Sequence, residues 1–83
     1  MRVLYAHRLD EIQRDGNTCL ASVDIELNDH VRLYALRLLR MSDGSHFLFA
    51  PQAGKRRTAT FSVAMSKHLT SLALAAYEAD NDR

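Results

Sequence analysis

"CLASVDIELNDHVRLYALRLLRM" (Cys19–Met41) decides how the chain is read. Its first nine residues alternate: Cys19, Ala21, Val23, Ile25 and Leu27 fall on one face of an extended chain, and Leu20, Ser22, Asp24 and Glu26 on the other. Successive side chains of a strand point to opposite faces, so the pattern predicts a half-buried strand with its apolar side inward. Asn28, Asp29 and His30 follow. Asn and Asp tolerate left-handed backbone, which predicts a tight hairpin turn. The second arm, Val31–Met41, has leucine and arginine spacing that also fits a helix. Three features favour a strand: the preceding turn, the β-branched and aromatic opening, and the period-two set Val31, Leu33, Ala35, Leu39 and Met41. Tyr34, Leu36 and Leu38 then make the opposite face apolar too. A strand apolar on both faces needs a cover on both. One cover can come from this chain; the other is expected from a second copy.

Working outward, "RVLYAHRL" (Arg2–Leu9) alternates with Val3, Tyr5, His7 and Leu9 on one face. "RDGN" (Arg14–Asn17) turns it into the next strand. "SDGS" (Ser42–Ser45) is a second Asp-Gly turn, and "HFLFAP" is a short apolar strand stopped by Pro51, which has no N–H for a ladder. "TATFSVA" (Thr58–Ala64) alternates again, with Ala59, Phe61 and Val63 expected inward. "SKHLTSLALAAYEAD" (Ser66–Asp80) reads as a helix. Ser66 suits an N-cap, and Leu69, Leu72, Ala73, Ala76 and Tyr77 form one stripe at helical spacing. The expected fold is α+β: an antiparallel sheet of four to five strands followed by one C-terminal helix, in a single domain over residues 1–83.

A domain of 83 residues has a thin core. It buries roughly 60–65% of the surface its unfolded chain exposes. The lone Cys19 allows no internal disulfide, so help is expected from a homodimer. With 47% hydrophobic and 25% charged residues, three glycines and one proline, a fibrous or disordered chain is excluded. The start, "MRVLYAHRLDEI", lacks the pattern of a secretory leader, and no apolar run is long enough for a membrane span. These features and the single thiol predict a cytoplasmic protein with no membrane partner.

Net charge is only +1, but its distribution is uneven. No acid occurs from Gly44 to Tyr77, and Lys55, Arg56, Arg57 and Lys67 all fall in that stretch. Three adjacent cations in "PQAGKRRTATF" (Pro51–Phe61) can follow phosphate oxygens without reading bases. The plainer alternative is a solvated loop. "AGKRRT" lacks the glycine spacing and Gly-Lys-Ser/Thr order of a nucleotide phosphate loop, and no helix opens directly after it.

The remaining candidates carry less. On an unbroken strand Arg32 and Arg40 point one way and Arg37 the other, which fits an interfacial ion pair or a sheet rim. His7, His30, His46 and His68 lack metal-ligand spacing, and no metal, cofactor or small-molecule substrate is implied. Cys19, on the inward face, behaves as a small hydrophobe. Asp10, Glu11 and Asp15 are acids near a turn with no partner carboxylate in view. Tyr34, Phe47 and Phe49 can stack on bases if exposed, though core and interface packing is the simpler role. No acid, base and nucleophile set emerges, so the chain is read as no enzyme.

"LASVDIELNDHVRLYALRLLRMSDGSHFLFAP" (Leu20–Pro51) resembles the septation regulator SpoVG (stage V sporulation protein G) family. There an Ala-Ser-hydrophobic strand, a turn, a long strand, a glycine turn and an aromatic strand ending in proline recur in order. The likeness continues more weakly through "TATFSVA" and "LAAYEAD". It implies a small bacterial cytoplasmic homodimer that binds DNA, and in some members RNA, as a regulator. Its binding residues would correspond to Lys55, Arg56, Arg57 and Lys67. The family's Asp-Ile-x-His-Pro entry to the helix is replaced here by "SVAMS" (Ser62–Ser66), and Lys67 is the helix's one lysine. That shifts the weight to the loop. The competing class is a protein-interaction module without nucleic-acid binding.

Overall fold

A computed structural model describes the backbone of residues 1–81 and the side chains of residues 1–79. Four strands, β1 (Arg2–Ile12), β2 (Thr18–Glu26), β3 (Arg32–Arg40) and β4 (His46–Phe49), form one antiparallel sheet in the order β1-β2-β3-β4. The helix α1 (Val63–Asn81) follows. Between them, β5 (Gln52–Ala53) and β6 (Arg56–Arg57) pair as a separate small hairpin. The fold is therefore α+β, with a four-stranded antiparallel sheet and one C-terminal helix.

The turns form where Asp, Asn and Gly predict them. Asn28 accepts the N–H groups of His30 and Val31 at 2.8 and 3.0 Å and closes the β2–β3 hairpin. Gly16 and Gly44 carry φ of 85° and 91°, the left-handed backbone that glycine adopts without strain. Their two turns sit together, because the Asn17 side-chain Oδ1 accepts the Ser42 N–H at 2.9 Å.

The largest departure from the predicted pattern lies in β3. Val23 pairs with Leu36 and Ile25 with Leu33, so Tyr34 and Ala35 together oppose Asp24. Ala35 holds φ of 56°, and its N–H donates to the Asp24 carboxylate at 2.8 Å. An extra residue in one arm of a ladder reverses the alternation beyond it. Leu33, Leu36 and Leu38 therefore share one face, packed into the core, while Arg32, Tyr34, Arg37 and Leu39 share the other. The expectation that β3 is apolar on both faces is corrected: its leucines, Leu39 excepted, converge on the side that the helix covers.

Of the three further register shifts, two act alike. Leu20 is inserted between the Cys19–Leu39 and Ala21–Leu38 pairs and joins the core beside Ala21. Cys19 is buried, but it lies on the opposite face from Ala21, with its sulfur 4.0 Å from the Arg37 guanidinium. In β1, Leu4 is extra, so Val3 and Ala6 pack on the core while Tyr5 and His7 face away.

The core joins Val23, Ile25, Leu36, Leu38 and Leu48 of the sheet to Leu69 and Ala73 of the helix. Three expectations fail at the helix entry. Thr58–Ser62 forms no strand; Ala59 and Phe61 do pack on the core, but as a connecting segment. The N-cap is Ser62, whose hydroxyl accepts the Met65 N–H at 3.2 Å, not Ser66. Val63, expected inward, begins the helix with 75% of its surface exposed. Farther along, Thr70 accepts the Leu48 N–H at 3.1 Å and donates to the Ser66 carbonyl at 2.7 Å. That satisfies part of the open edge of β4, which would otherwise be a template for unwanted pairing.

The far end of the helix is latched to β1. The Tyr77 hydroxyl donates to Asp10 at 2.5 Å and accepts from Arg8 at 2.7 Å, and the Arg8 guanidinium lies 4.3 Å from the Tyr77 ring centre. Burial and then the bond to Asp10 push the Tyr77 pKa above the ordinary tyrosine value. The bonds from Tyr77 and then Arg8 hold the Asp10 carboxyl below the ordinary carboxylate range.

Two predictions follow from these contacts. Left-handed backbone costs a non-glycine residue about 1–2 kcal/mol. Gly in a strand costs roughly 0.5–1 kcal/mol in chain entropy. Ala35→Gly should therefore stabilise the fold by about 0.5 kcal/mol, whereas the β-branched Ala35→Val should lose about 2 kcal/mol or more, read from urea unfolding midpoints. The latch makes the second prediction. A raised tyrosine pKa gives stability that is complete below the unfolded tyrosine's range and lost as pH rises through the folded value. A depressed carboxylate pKa gives stability present above the unfolded carboxylate's range and lost as pH falls through the folded value. Melting temperature should hold level across neutral pH and fall at both extremes. Tyr77→Phe should lower it at neutral pH and remove most of the alkaline fall.

Candidate nucleic-acid interface

After Pro51 the chain does not stay a plain loop. Gln52 pairs with Arg57 and Ala53 with Arg56, and Gly54 makes the turn at φ of 64°. Thr58 closes the base, its N–H and its hydroxyl both donating to the Pro51 carbonyl at 3.0 and 2.9 Å. Lys55 is lifted to the tip with Arg56 beside it, both exposed. The ion pairs among the described residues involve Arg2, Arg8 and Arg32, so none neutralises Lys55, Arg56, Arg57 or Lys67.

Arg57 behaves differently from its two neighbours. Its guanidinium donates to the Ala50 carbonyl at 3.0 Å and lies 4.7 Å from the Phe49 ring centre. One of the three cations thus anchors the hairpin to the sheet and leaves the other two to solvent. Lys67 lies on the second turn of α1 and faces β4 from the helix side.

The sheet face away from the helix carries side chains in rows set by the strand register. Tyr5, Asp24 and Tyr34 make one row. His7, Ser22, Arg37 and Phe49 make the next, and Glu11, Cys19, Leu39 and Phe47 the last. Beyond the first row, Glu26 sits between Arg2 and Arg32, at 3.1 Å from each. The hydrogen bond from Arg32 is the main cause holding its carboxyl below the ordinary range. Arg32 and Arg37 share this face and Arg40 does not, because the bulge lies between Arg32 and Arg37.

Three shallow hollows surround β4. One, of about 400 Å³, lies between Arg37 and Arg57 over Phe49 and Leu39. The second, of about 210 Å³, runs from Phe49 and Arg57 to Phe61 and Ser66. The third, of about 350 Å³, holds Lys67 with His46, Phe47 and Ser66. Shared residues join them in that order, and no carboxylate lines any of the three. The acid-free stretch of sequence thus becomes an acid-free strip of surface.

Lys55, Arg56 and Arg57 come together on one hairpin, as their adjacency requires, and Lys67 occupies the other end of the strip. The neighbourhood of Arg37, Phe49 and Arg57 escaped sequence reasoning, although Phe47 and Phe49 at period two were a signal for one shared face. Their rings lie 6.0 Å apart. Among the histidines, His46 borders the strip and His7 stacks on Tyr5 at 6.4 Å. The described residues contain no cluster of three or more His, Cys, Asp or Glu able to hold a metal ion, and no helix long and apolar enough to cross a membrane. Compared with models of protein families, with curated proteins and with solved structures, the chain matches none.

Proposed function

We propose that this is a non-enzymatic, nucleic-acid-binding regulatory protein that grips phosphate backbone through the β5–β6 hairpin. One observation carries the reading: Lys55 and Arg56 stand exposed and unpaired at the tip of an ordered hairpin, beside a strip that no carboxylate lines. An anionic polymer is the partner that such a surface attracts. The resemblance to the septation regulator family supports the same reading and extends it to DNA, and RNA, in a bacterial cytoplasm. Arg57 sets the pitch of the hairpin, and Lys67 adds a further contact from the helix.

The working unit in this proposal is a homodimer. Tyr5 and Tyr34 flank Asp24 on the open face with 60% and 59% of their surface exposed, and they are the natural contact between two copies. Those exposed rings also favour a second reading, in which the chain is a protein-interaction module and the hairpin is incidental.

Mobility shifts over a range of salt concentrations separate the two. If each of two chains seats Lys55 and Arg56, four phosphates are neutralised, and the log–log salt slope on duplex DNA is about −3 to −4, at about −0.9 per phosphate. Lys55→Ala with Arg56→Ala should weaken binding to all sequences alike and flatten that slope, with the fold intact. No retention at low salt would leave the interaction module. Sedimentation at micromolar concentration should give twice the chain's 9.4 kDa, and Tyr34→Lys should shift it toward the single-chain mass.

A further inference from the structure

The three joined hollows run from the open face of the sheet, past β4, to the start of α1. Cations punctuate them: Arg37 at one end, Arg57 in the middle, Lys67 at the other. Flat groups alternate with the cations. Phe47 is 44% exposed, and Phe49 lies beneath the Arg57 guanidinium. A guanidinium plane and an aromatic ring both accept a stacked base, and every base has a face to offer, so such contacts tolerate any sequence.

We infer that this strip is a track for single-stranded nucleic acid, its bases stacking on Phe47 and on the Phe49–Arg57 pair while Arg37 and Lys67 hold the flanking phosphates. The inference rests on the proposed function and names its substrate more narrowly. Geometry favours the single strand. In a duplex the bases are stacked inside and only their edges reach the grooves, so Phe47 and Arg57 would meet backbone and gain no stacking. An unpaired base can lie in a shallow hollow of about 350 or 400 Å³; a double helix cannot. The hairpin tip then supplies charge to either form, and the strip supplies the preference between them.

The test is a fluorescence anisotropy titration with a labelled oligothymidylate and, separately, a labelled duplex of equal length. Wild type should bind the single strand more tightly. Phe47→Leu keeps apolar volume, removes an exposed plane and touches no contact of the hairpin. It should cost about fivefold or more on the single strand and less than roughly twofold on the duplex. Lys67→Gln, at an exposed helix position, should weaken the single strand more than the duplex and lower its salt slope by about 0.7. Equal or tighter binding of duplex by wild type would overturn the track and leave the hairpin reading standing. So would equal losses on both probes in the Phe47→Leu variant. A fall of that variant's sedimentation mass from two chains to one would also overturn it, by assigning the strip to the dimer contact. If wild type binds neither probe even at low salt, the proposed function itself falls.

Discussion

One hydrogen bond organises the faces of the sheet. The Asp24 carboxylate holds the Ala35 N–H, and with it the bulge that makes Tyr34 and Ala35 share one place opposite β2. On one side of that point β3 presents Leu33 to the core; on the other it presents Leu36 and Leu38 to the same core. Remove the extra residue and the two halves of the strand would show their leucines to opposite faces. The helix covers only one face. Half the strand's apolar surface would then meet water, at about 25 cal/mol per Å². The bulge is therefore what allows one helix to close this core, and it also leaves Arg37 on the side where Phe49 and Arg57 can meet it.

The same point explains what could be read from the residues alone. Turn chemistry was legible, since Asn28, Gly16 and Gly44 act locally. The hairpin, the sheet order and the C-terminal helix follow from period and turn signals within short windows. What stayed hidden was the parity of β1, β2 and β3. A bulge adds a residue without changing the apparent alternation of its neighbours, so Leu20 read as outward and Cys19 as a companion of Ala21. The Thr58–Ala64 stretch misled for a different reason. Ala59 and Phe61 do point inward, as alternation predicts, but alternation says nothing about whether a neighbouring strand exists to pair with. Ser62 then ends the extended path by capping the helix.

At the surface, sequence revealed composition and the fold supplied arrangement. The absence of acids from Gly44 to Tyr77 was visible at once. It took the folded chain to show that Arg37, from outside that stretch, joins the strip, and that Arg57 leaves its two neighbours to lie on Phe49. Long-range partners cannot be read from spacing. The Arg8–Asp10–Tyr77 latch, whose members are 67 residues apart in Tyr77 and Asp10, is another instance. The latch and the Thr70 contact to Leu48 pin the helix at two separated points, over β1 and over β4.

Because the helix follows all four strands of the sheet in the chain, its contacts also have a place in time. Sheet neighbours here are sequence neighbours, so each strand can pair as soon as it follows its predecessor out of the ribosome. The cover arrives only after the last strand, at about 5–20 residues per second. For the seconds in between, the nascent sheet holds Val23, Ile25, Leu36 and Leu38 bare to solvent or to whatever chaperone is near. The short β4 and the bulged β1, each a poor template at the sheet's margin, are then the parts of the design that keep two unfinished copies from zipping together.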